Sequence, residues 1–233
     1  MKVGIMQPYF FPYIGYWQLI NAVDKYVIYD DVNFIKGGWI NRNSILMDGQ
    51  AKLINIQMHK ASPNKLINEV EVSGNDIFNN KLLKTIKQCY KKAPFYEDVF
   101  PVIESVINQE EKNLAKFLEL SIRQVCEYLS INTNIVISSD IKKNNELRAQ
   151  EKVLEICKIL GADEYINAIG GQDLYSCEDF FSRGIKLRFL KTGEIRYPQF
   201  DNEFVPNLSI IDLMMFNSKN AITDMLNDFV IVE

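Results

Sequence analysis

Two adjacent carboxylates, Asp30 and Asp31, end a β-branched and aromatic run at 26–29, and Gln7 and Pro8 end a largely apolar run at 2–6. Proline carries no amide donor, so Pro8 cannot continue a central strand. Open α/β sheets bind their ligands outside the carboxyl ends of the strands. Gln7, Asp30 and Asp31 therefore stand where such a fold places its chemistry. A carboxylate there can orient a hydroxyl, an amine or Mg²⁺, or accept a proton. Successive strand residues face opposite ways, so one of the two is expected to point into a site. Asn41 and Arg42 follow, and a guanidinium can grip phosphate through two parallel hydrogen bonds. The same stretch, with Lys36-Gly37-Gly38, also reads as a solvated, charged hairpin.

The loop 7–16 is crowded with rings: Tyr9, Phe10, Phe11, Tyr13 and Tyr16, together with Pro8, Pro12 and Gly15. Such rings either stack on a base or sugar or plug the top of the core. His59 is the single histidine. It is a candidate general base, because its proton affinity lies near neutrality. A surface position without a role is its other reading. One histidine cannot make a two-histidine metal centre. Cys89, Cys126, Cys157 and Cys177 contain no C-x-x-C pair, so no cysteine metal site is expected. Ser138-Ser139 and Gly170-Gly171-Gln172 each follow a strand and precede a helix, where backbone amides bind anions. Neither matches the dinucleotide or P-loop glycine pattern. Lys91, near a helix end, and Arg148 are further candidate phosphate contacts.

Elements that could position these groups alternate along the chain. Strands are expected at 2–6, 26–30, 51–57, 64–72, 134–138, 164–169 and 185–190. Helices are expected at 13–23, 76–91, 100–107, 111–129, 146–160, 172–183 and 209–216. Residues 229–232 read as an edge strand or an interface, so a homodimer is one expectation. The pattern predicts a single α/β domain over 1–233, a parallel, Rossmann-like sheet with a mostly helical insertion at about 75–130.

With 47% apolar and 24% charged residues the composition is that of an ordinary soluble protein. The net charge of −4 excludes a generally basic surface, so DNA is not an expected partner. No run approaches the ~18 apolar residues of a membrane span. With no signal-peptide pattern at the start, a reduced, cytoplasmic protein is expected.

Several blocks occur in a recognisable order: Gln7-Pro8-x-x-x-Pro12-x-x-Gly15-Tyr16, Asp30-Asp31, Asn41-Arg42, Tyr90-x-x-Ala93-Pro94-x-Tyr96, Tyr197-x-Gln199, Ser209-x-x-Asp212 and Phe216-Asn217. Together they resemble the WbqC-like protein family, over nearly the whole chain. The resemblance implies a place in bacterial O-antigen or other surface-polysaccharide biosynthesis. The activity it implies is transfer of an acyl group, glycine among the candidates, to the amine of a dTDP- or UDP-linked amino sugar. ATP or an already activated acyl or aminoacyl donor would supply that group. The opening strand, loop and helix are also similar to the nucleotidyltransferase and pantothenate-synthetase superfamily. There a His-x-Gly-His motif binds ATP phosphates. Here Tyr13-Ile14-Gly15-Tyr16 occupies that place, and a phenol cannot be cationic. On this reading Asp31, His59 and Gln7 are the catalytic candidates. Tyr9, Tyr13, Asp30, Asn41, Arg42, Lys91, Ser138, Arg148, Gly170, Gly171, Gln172, Tyr197 and Gln199 are the binding candidates. The rival expectations are a binding protein with a degenerate nucleotide site and an altered nucleotidyltransferase.

Overall fold

The computed structural model describes residues 1–201 and 203–233. Its elements follow as β1 (Lys2–Met6), α1 (Ile14–Ala22), β2 (Lys25–Ile28), β3 (Arg42–Met47), β4 (Gln50–Asn55), β5 (Met58–His59), β6 (Glu71–Val72), α2 (Asp76–Tyr90), α3 (Tyr96–Ile107) and α4 (Leu114–Leu129). After these come β7 (Asn134–Ile137), α5 (Ala149–Leu160), β8 (Glu164–Ala168), α6 (Cys177–Ser182), β9 (Lys186–Thr192), α7 (Ile210–Phe216), α8 (Lys219–Leu226) and β10 (Phe229–Val232).

Six strands form the main sheet in the order β10-β9-β8-β1-β2-β7. All its neighbours are parallel except β10, which runs antiparallel to β9 at one edge. Side chains alternate across the sheet, as a period of two requires. Val3, Ile5, Val27, Tyr165, Leu187 and Phe189 pack with Val153, Ile156 and Cys157 of α5 and Phe180 of α6. Tyr26, Ile28, Ile166 and Leu190 face the opposite way, into a larger core with α1, α2, α3, α4, α7 and α8. Helices cover both faces, which is why the central parts of β1, β2 and β8 are largely apolar, while β9 next to the edge keeps Arg188 and Lys191.

The chain builds outward from β1 in one direction, through β2 to β7, and then in the other, through β8 to β9. The direction of winding therefore reverses between β1 and β8. At such a reversal the crossovers diverge and leave a crevice at the carboxyl ends of the two strands.

Everything between β2 and β7 stands beside this sheet: the hairpin β3–β4, the small pair β5–β6, and the three helices over 76–129. Four local details differ from the sequence reading. Residues 42–47 are a strand paired with 50–55, in which the consecutive Ile45 and Leu46 are buried on opposite faces behind a polar start that disguises them. Residues 64–72 do not form a continuous strand; a 3₁₀ turn at Ile67–Glu69 precedes the two-residue β6. Residues 172–183 divide into a 3₁₀ segment, Ile169–Leu174, and α6, whose start is set by the Ser176 cap. Helix α8 is additional, and the Ser218 hydroxyl accepts from the Ala221 amide at its start. No helix among the described residues is long and apolar enough to cross a membrane.

Candidate functional site

The loop after β1 is fixed largely through its backbone oxygens. The Gln7 carbonyl accepts from the Tyr16 hydroxyl (3.1 Å), and the Pro12 carbonyl accepts from Trp17 Nε1 (2.9 Å) and the Ile210 amide (3.0 Å). Asn43 Nδ2 donates to the Phe10 (3.2 Å) and Phe11 (2.8 Å) carbonyls, and Ser209 Oγ also donates to Phe11 (2.7 Å). Phe11 sits at φ 42°, a left-handed conformation that a bulky side chain adopts only when its surroundings impose it. Phe10 and Phe11 are fully buried, so these two rings plug the core. Tyr9 and Tyr13 do not; they face a cleft.

That cleft lies at the reversal point. Met6 and Ala168, the last residues of β1 and β8, form its floor. Tyr9, Tyr13, Tyr16 and Trp39 form its walls, with Asn43 and Asn207, and its volume is about 280 Å³. Trp39 is 51% exposed and Tyr13 37%, so both present ring faces to a visitor. A second cleft of about 420 Å³ lies at the end of β9 and shares Tyr13 and Asn207 with the first. Its lining includes Lys191, Glu194, Arg196 and Tyr197. Gly15 makes the partition feasible. A Cβ there would stand 2.4 Å from the Tyr13 hydroxyl and 2.6 Å from Thr192 Oγ1, so only glycine lets the Tyr13 ring fold across the start of α1. Burial raises the Tyr9 phenol above its ordinary value, with a smaller contribution from Tyr13. It is thus a neutral hydrogen-bonding ring at physiological pH.

Asp30 and Asp31 diverge at the end of β2. Asp30 is buried and accepts from Ser139 N (2.9 Å), Ser139 Oγ (2.6 Å) and Asn68 Nδ2 (3.2 Å). Asp31 turns the other way. It accepts from Ser138 Oγ (2.7 Å) and pairs with Lys143 (2.8 Å) and Lys152 (3.0 Å), and the lysine side chains are 0% and 3% exposed. Burial opposes ionisation of Asp31, but hydrogen bonds from Lys143, Ser138 and Lys152 outweigh it and hold the carboxyl below its usual value. A carboxylate so tied is a counter-ion and a poor proton acceptor. Asp31, Arg148 and Lys152 line a third cleft of about 280 Å³, at the ends of β2 and β7.

The remaining candidates lie apart. Arg42 Nε donates to the Gly38 carbonyl (3.0 Å) and another guanidinium nitrogen to Gly37, and the group stacks over Trp39 at 5.7 Å. Its donors thus close its own loop, and its link to the crevice is the indole. Asn41 Nδ2 donates to the Ile56 carbonyl at 3.3 Å. His59, on β5, is exposed and lines none of these clefts, and Lys91 is the exposed C-cap of α2. Gln7 borders the crevice through its neighbour Met6 without lining it. Gly170, Gly171 and Gln172 form the 3₁₀ segment after β8, with Gly171 so close to Asn167 that a Cβ would stand 2.8 Å from its Nδ2. The structure therefore does not gather Gln7, Asp31, Arg42 and Gln199 into one pocket.

Gln199 belongs to a different constellation. Its Nε2 donates to Asp212 Oδ2 (2.6 Å) and the Val205 carbonyl (3.1 Å). Tyr197 also donates to Asp212 Oδ2 (2.8 Å), and Tyr90 donates to Oδ1 (2.7 Å). Asp212 is fully buried, and these three donors to it are all neutral. Burial raises its pKa, and the three neutral donors only partly offset that rise. Four residues from three separate sequence blocks thus meet at one carboxyl group, which ties α2 and the 197–205 segment to α7.

Sequence reasoning missed Trp39, Asn207, Lys191, Arg196, Lys143 and Lys152. A signal existed for one of them: Lys152 lies four residues after Arg148, on the same face of the expected helix.

The chain is 25% identical to the uncharacterized protein Rv1507c of Mycobacterium tuberculosis over 216 residues, which cover 91% of this chain and 92% of that one. No solved structure matches it. The model of the WbqC-like protein family matches residues 7–224, and the chain belongs to that family.

Proposed function

We propose that this protein is a transferase of bacterial surface-polysaccharide biosynthesis that acylates the amine of a nucleotide-linked amino sugar. The observation that carries the reading is the aromatic crevice at the reversal point between β1 and β8, continuous through Tyr13 and Asn207 with a cleft that holds Lys191 and Arg196. Reading the parallel strands in chain order gives 3-2-1-4-5 across the sheet, which supports a Rossmann-like, nucleotidyltransferase-like fold. Tyr9, Tyr13 and Trp39 offer flat faces for a base or sugar ring. Lys191 and Arg196 supply cationic partners for a diphosphate.

The reaction forms an amide. The sugar nitrogen attacks the acyl carbon, the bond from that carbon to its activating group breaks, and the nitrogen sheds its proton. Glu194, in the same cleft and paired with Arg196 (2.7 Å), is the carboxylate that would take that proton once a diphosphate engages Arg196. The Asn207 side-chain amide is a polar group able to orient the substrates, whereas that of Asn43 is committed to the loop backbone. Asp31, held by two lysines, is not the base in this reading.

The test supplies dTDP- and UDP-linked amino sugars with glycine and ATP, or with a preformed aminoacyl donor, and follows the sugar nucleotide by mass spectrometry. An N-acylated sugar nucleotide is expected, lost in Tyr13→Ala. Tight binding of the sugar nucleotide without product from any donor would favour a binding protein instead. Transfer of the adenylyl group to the sugar would favour an altered nucleotidyltransferase.

A further inference from the structure

We infer that the cleft at the ends of β2 and β7 is a phosphate site, separate from the aromatic crevice. It shares no lining residue with either cleft of the crevice region. Parallel neighbours are roughly 4.8 Å apart. Strands β1 and β2 are neighbours, so the nearest strand ends of the two clefts are one such spacing apart and the outer strands, β8 and β7, are three apart.

The argument is one of charge. Lys143 and Lys152 are both buried, and both ion-pair with the same oxygen of Asp31. The Asp31 carboxylate neutralises one ammonium, so this triad by itself carries one positive charge; Asp30, the buried carboxylate beside it in the chain, is bonded to Ser139 and Asn68 instead. Burying a charge is costly unless a partner accompanies it. The excess charge faces the cleft through Lys152. That ammonium has three donors. It gives one to the Asp31 carbonyl (2.7 Å) and one to the Asp31 carboxylate, and lies 5.3 Å from the centre of the Tyr29 ring. Arg148, exposed at the mouth, adds a second positive charge; its Nη1 donates to the Asn145 (2.5 Å) and Leu147 (3.0 Å) carbonyls, so a phosphate oxygen would meet the rest of its guanidinium. Asn145 adds a neutral hydrogen-bonding group beside it, while Ser139 and Asn68 in the same lining already donate to Asp30. Asp31, already bonded by two lysines and the Ser138 hydroxyl, is the only carboxylate lining this cleft. The first turn of α5 starts beside the same cleft and receives no side-chain cap, so its amides add to the positive potential.

A volume of about 280 Å³ exceeds what a single small anion needs. The class of ligand is therefore a phosphate or diphosphate carried by a small molecule, with inorganic pyrophosphate as its simplest probe.

The test is calorimetric titration of the full-length protein with pyrophosphate at constant ionic strength. Saturable binding is expected, weakened at least fivefold in Arg148→Ala and more strongly in Lys152→Met. Lys152→Met leaves Asp31 with one cation and can fail to fold. Arg148→Ala changes an exposed side chain and keeps the test decisive. Arg123→Ala is the control, since Arg123 is an exposed arginine on α4 outside all three clefts. Unsaturable binding overturns the proposal. So does equal affinity in wild type and Arg148→Ala, or an equal loss in Arg123→Ala. A parallel titration with ATP identifies the source: tighter binding than pyrophosphate assigns the phosphate to a nucleotide, and weaker binding assigns it to a smaller phosphorylated compound.

Discussion

Two aspartates of this chain, one partly buried at a cleft and one fully buried, receive opposite treatment. Asp31 is held by two ammonium groups and a hydroxyl, and its acidity is increased. Asp212 is held by two phenols and an amide, all neutral, and its acidity is decreased. Asp31 borders a cleft, whereas Asp212 is sealed inside the core. The difference separates two jobs that look alike in a sequence. A carboxyl group met only by neutral donors is a cross-brace: it fixes three chain segments and contributes no external charge when protonated. A carboxylate over-supplied with cations leaves positive potential at a surface where a ligand can answer it. Much of the family pattern, namely Tyr90, Tyr197, Gln199 and Asp212, belongs to the brace.

The largest effect that sharpens this contrast is on stability. Asp212→Ala removes the acceptor of three buried donors, and each buried group left unsatisfied costs about 1–3 kcal/mol. Urea denaturation is expected to show a loss of about 3 kcal/mol or more. Asp212→Asn keeps the shape and one oxygen and should lose less. Equal losses would show that the carboxyl is not the organising group.

The pH dependence comes next and has opposite signs for the two residues. A carboxyl whose folded pKa is raised binds protons more tightly in the native state. Its stabilising contribution is complete below the unfolded value, roughly 3.9, and is lost as pH rises through the folded value. That is Asp212. For Asp31, whose folded pKa is depressed, the contribution is present above the unfolded value and is lost as pH falls through the folded one. Denaturation of Asp212→Asn across the acid-to-neutral range should therefore show less loss of stability with rising pH than wild type. Asp31→Asn should show less loss on acidification below about pH 4. The same slope in wild type and both variants would break the comparison.

A smaller effect concerns Arg42. Its guanidinium bonds its own loop and stacks on Trp39, so Arg42→Ala should change sugar-nucleotide affinity only two- to threefold, through the indole. A loss above tenfold in a binding titration would mean that Arg42 meets the ligand directly, contrary to its geometry here.

The parallel core was legible because its strands are short apolar runs closed by Pro8, by Asp30-Asp31 or by Ser138-Ser139, and because the helices between them keep a clear apolar face. The hairpin at 42–55 was legible only in its second strand, expected at 51–57 and formed at 50–55; in the first, the polar Arg42, Asn43 and Ser44 hide the buried Ile45 and Leu46. The divergence of Asp30 and Asp31 followed from strand geometry alone. The partners of Asp31 did not, because Lys143 and Lys152 come from beyond β7, more than a hundred residues away, and only the winding of the sheet brings them back. Tyr13 could be picked out as a cleft residue because it occupies a strand-end loop. Trp39 could not, because its place depends on a non-local hydrogen bond, from the Phe10 amide to its own carbonyl at 3.3 Å.

The central claim is that the crevice between β1 and β8 is where the sugar nucleotide binds, and Trp39 reports on it directly. It is half exposed in the crevice wall, whereas Trp17, the other tryptophan, is fully buried. Titration with UDP- and dTDP-linked amino sugars should give a saturable change in tryptophan fluorescence with one of them. That change should vanish in Trp39→Phe, and the affinity should fall at least tenfold in Tyr13→Ala. Binding that leaves Trp39 silent and is indifferent to Tyr13→Ala, or no binding of either sugar nucleotide, would contradict the account.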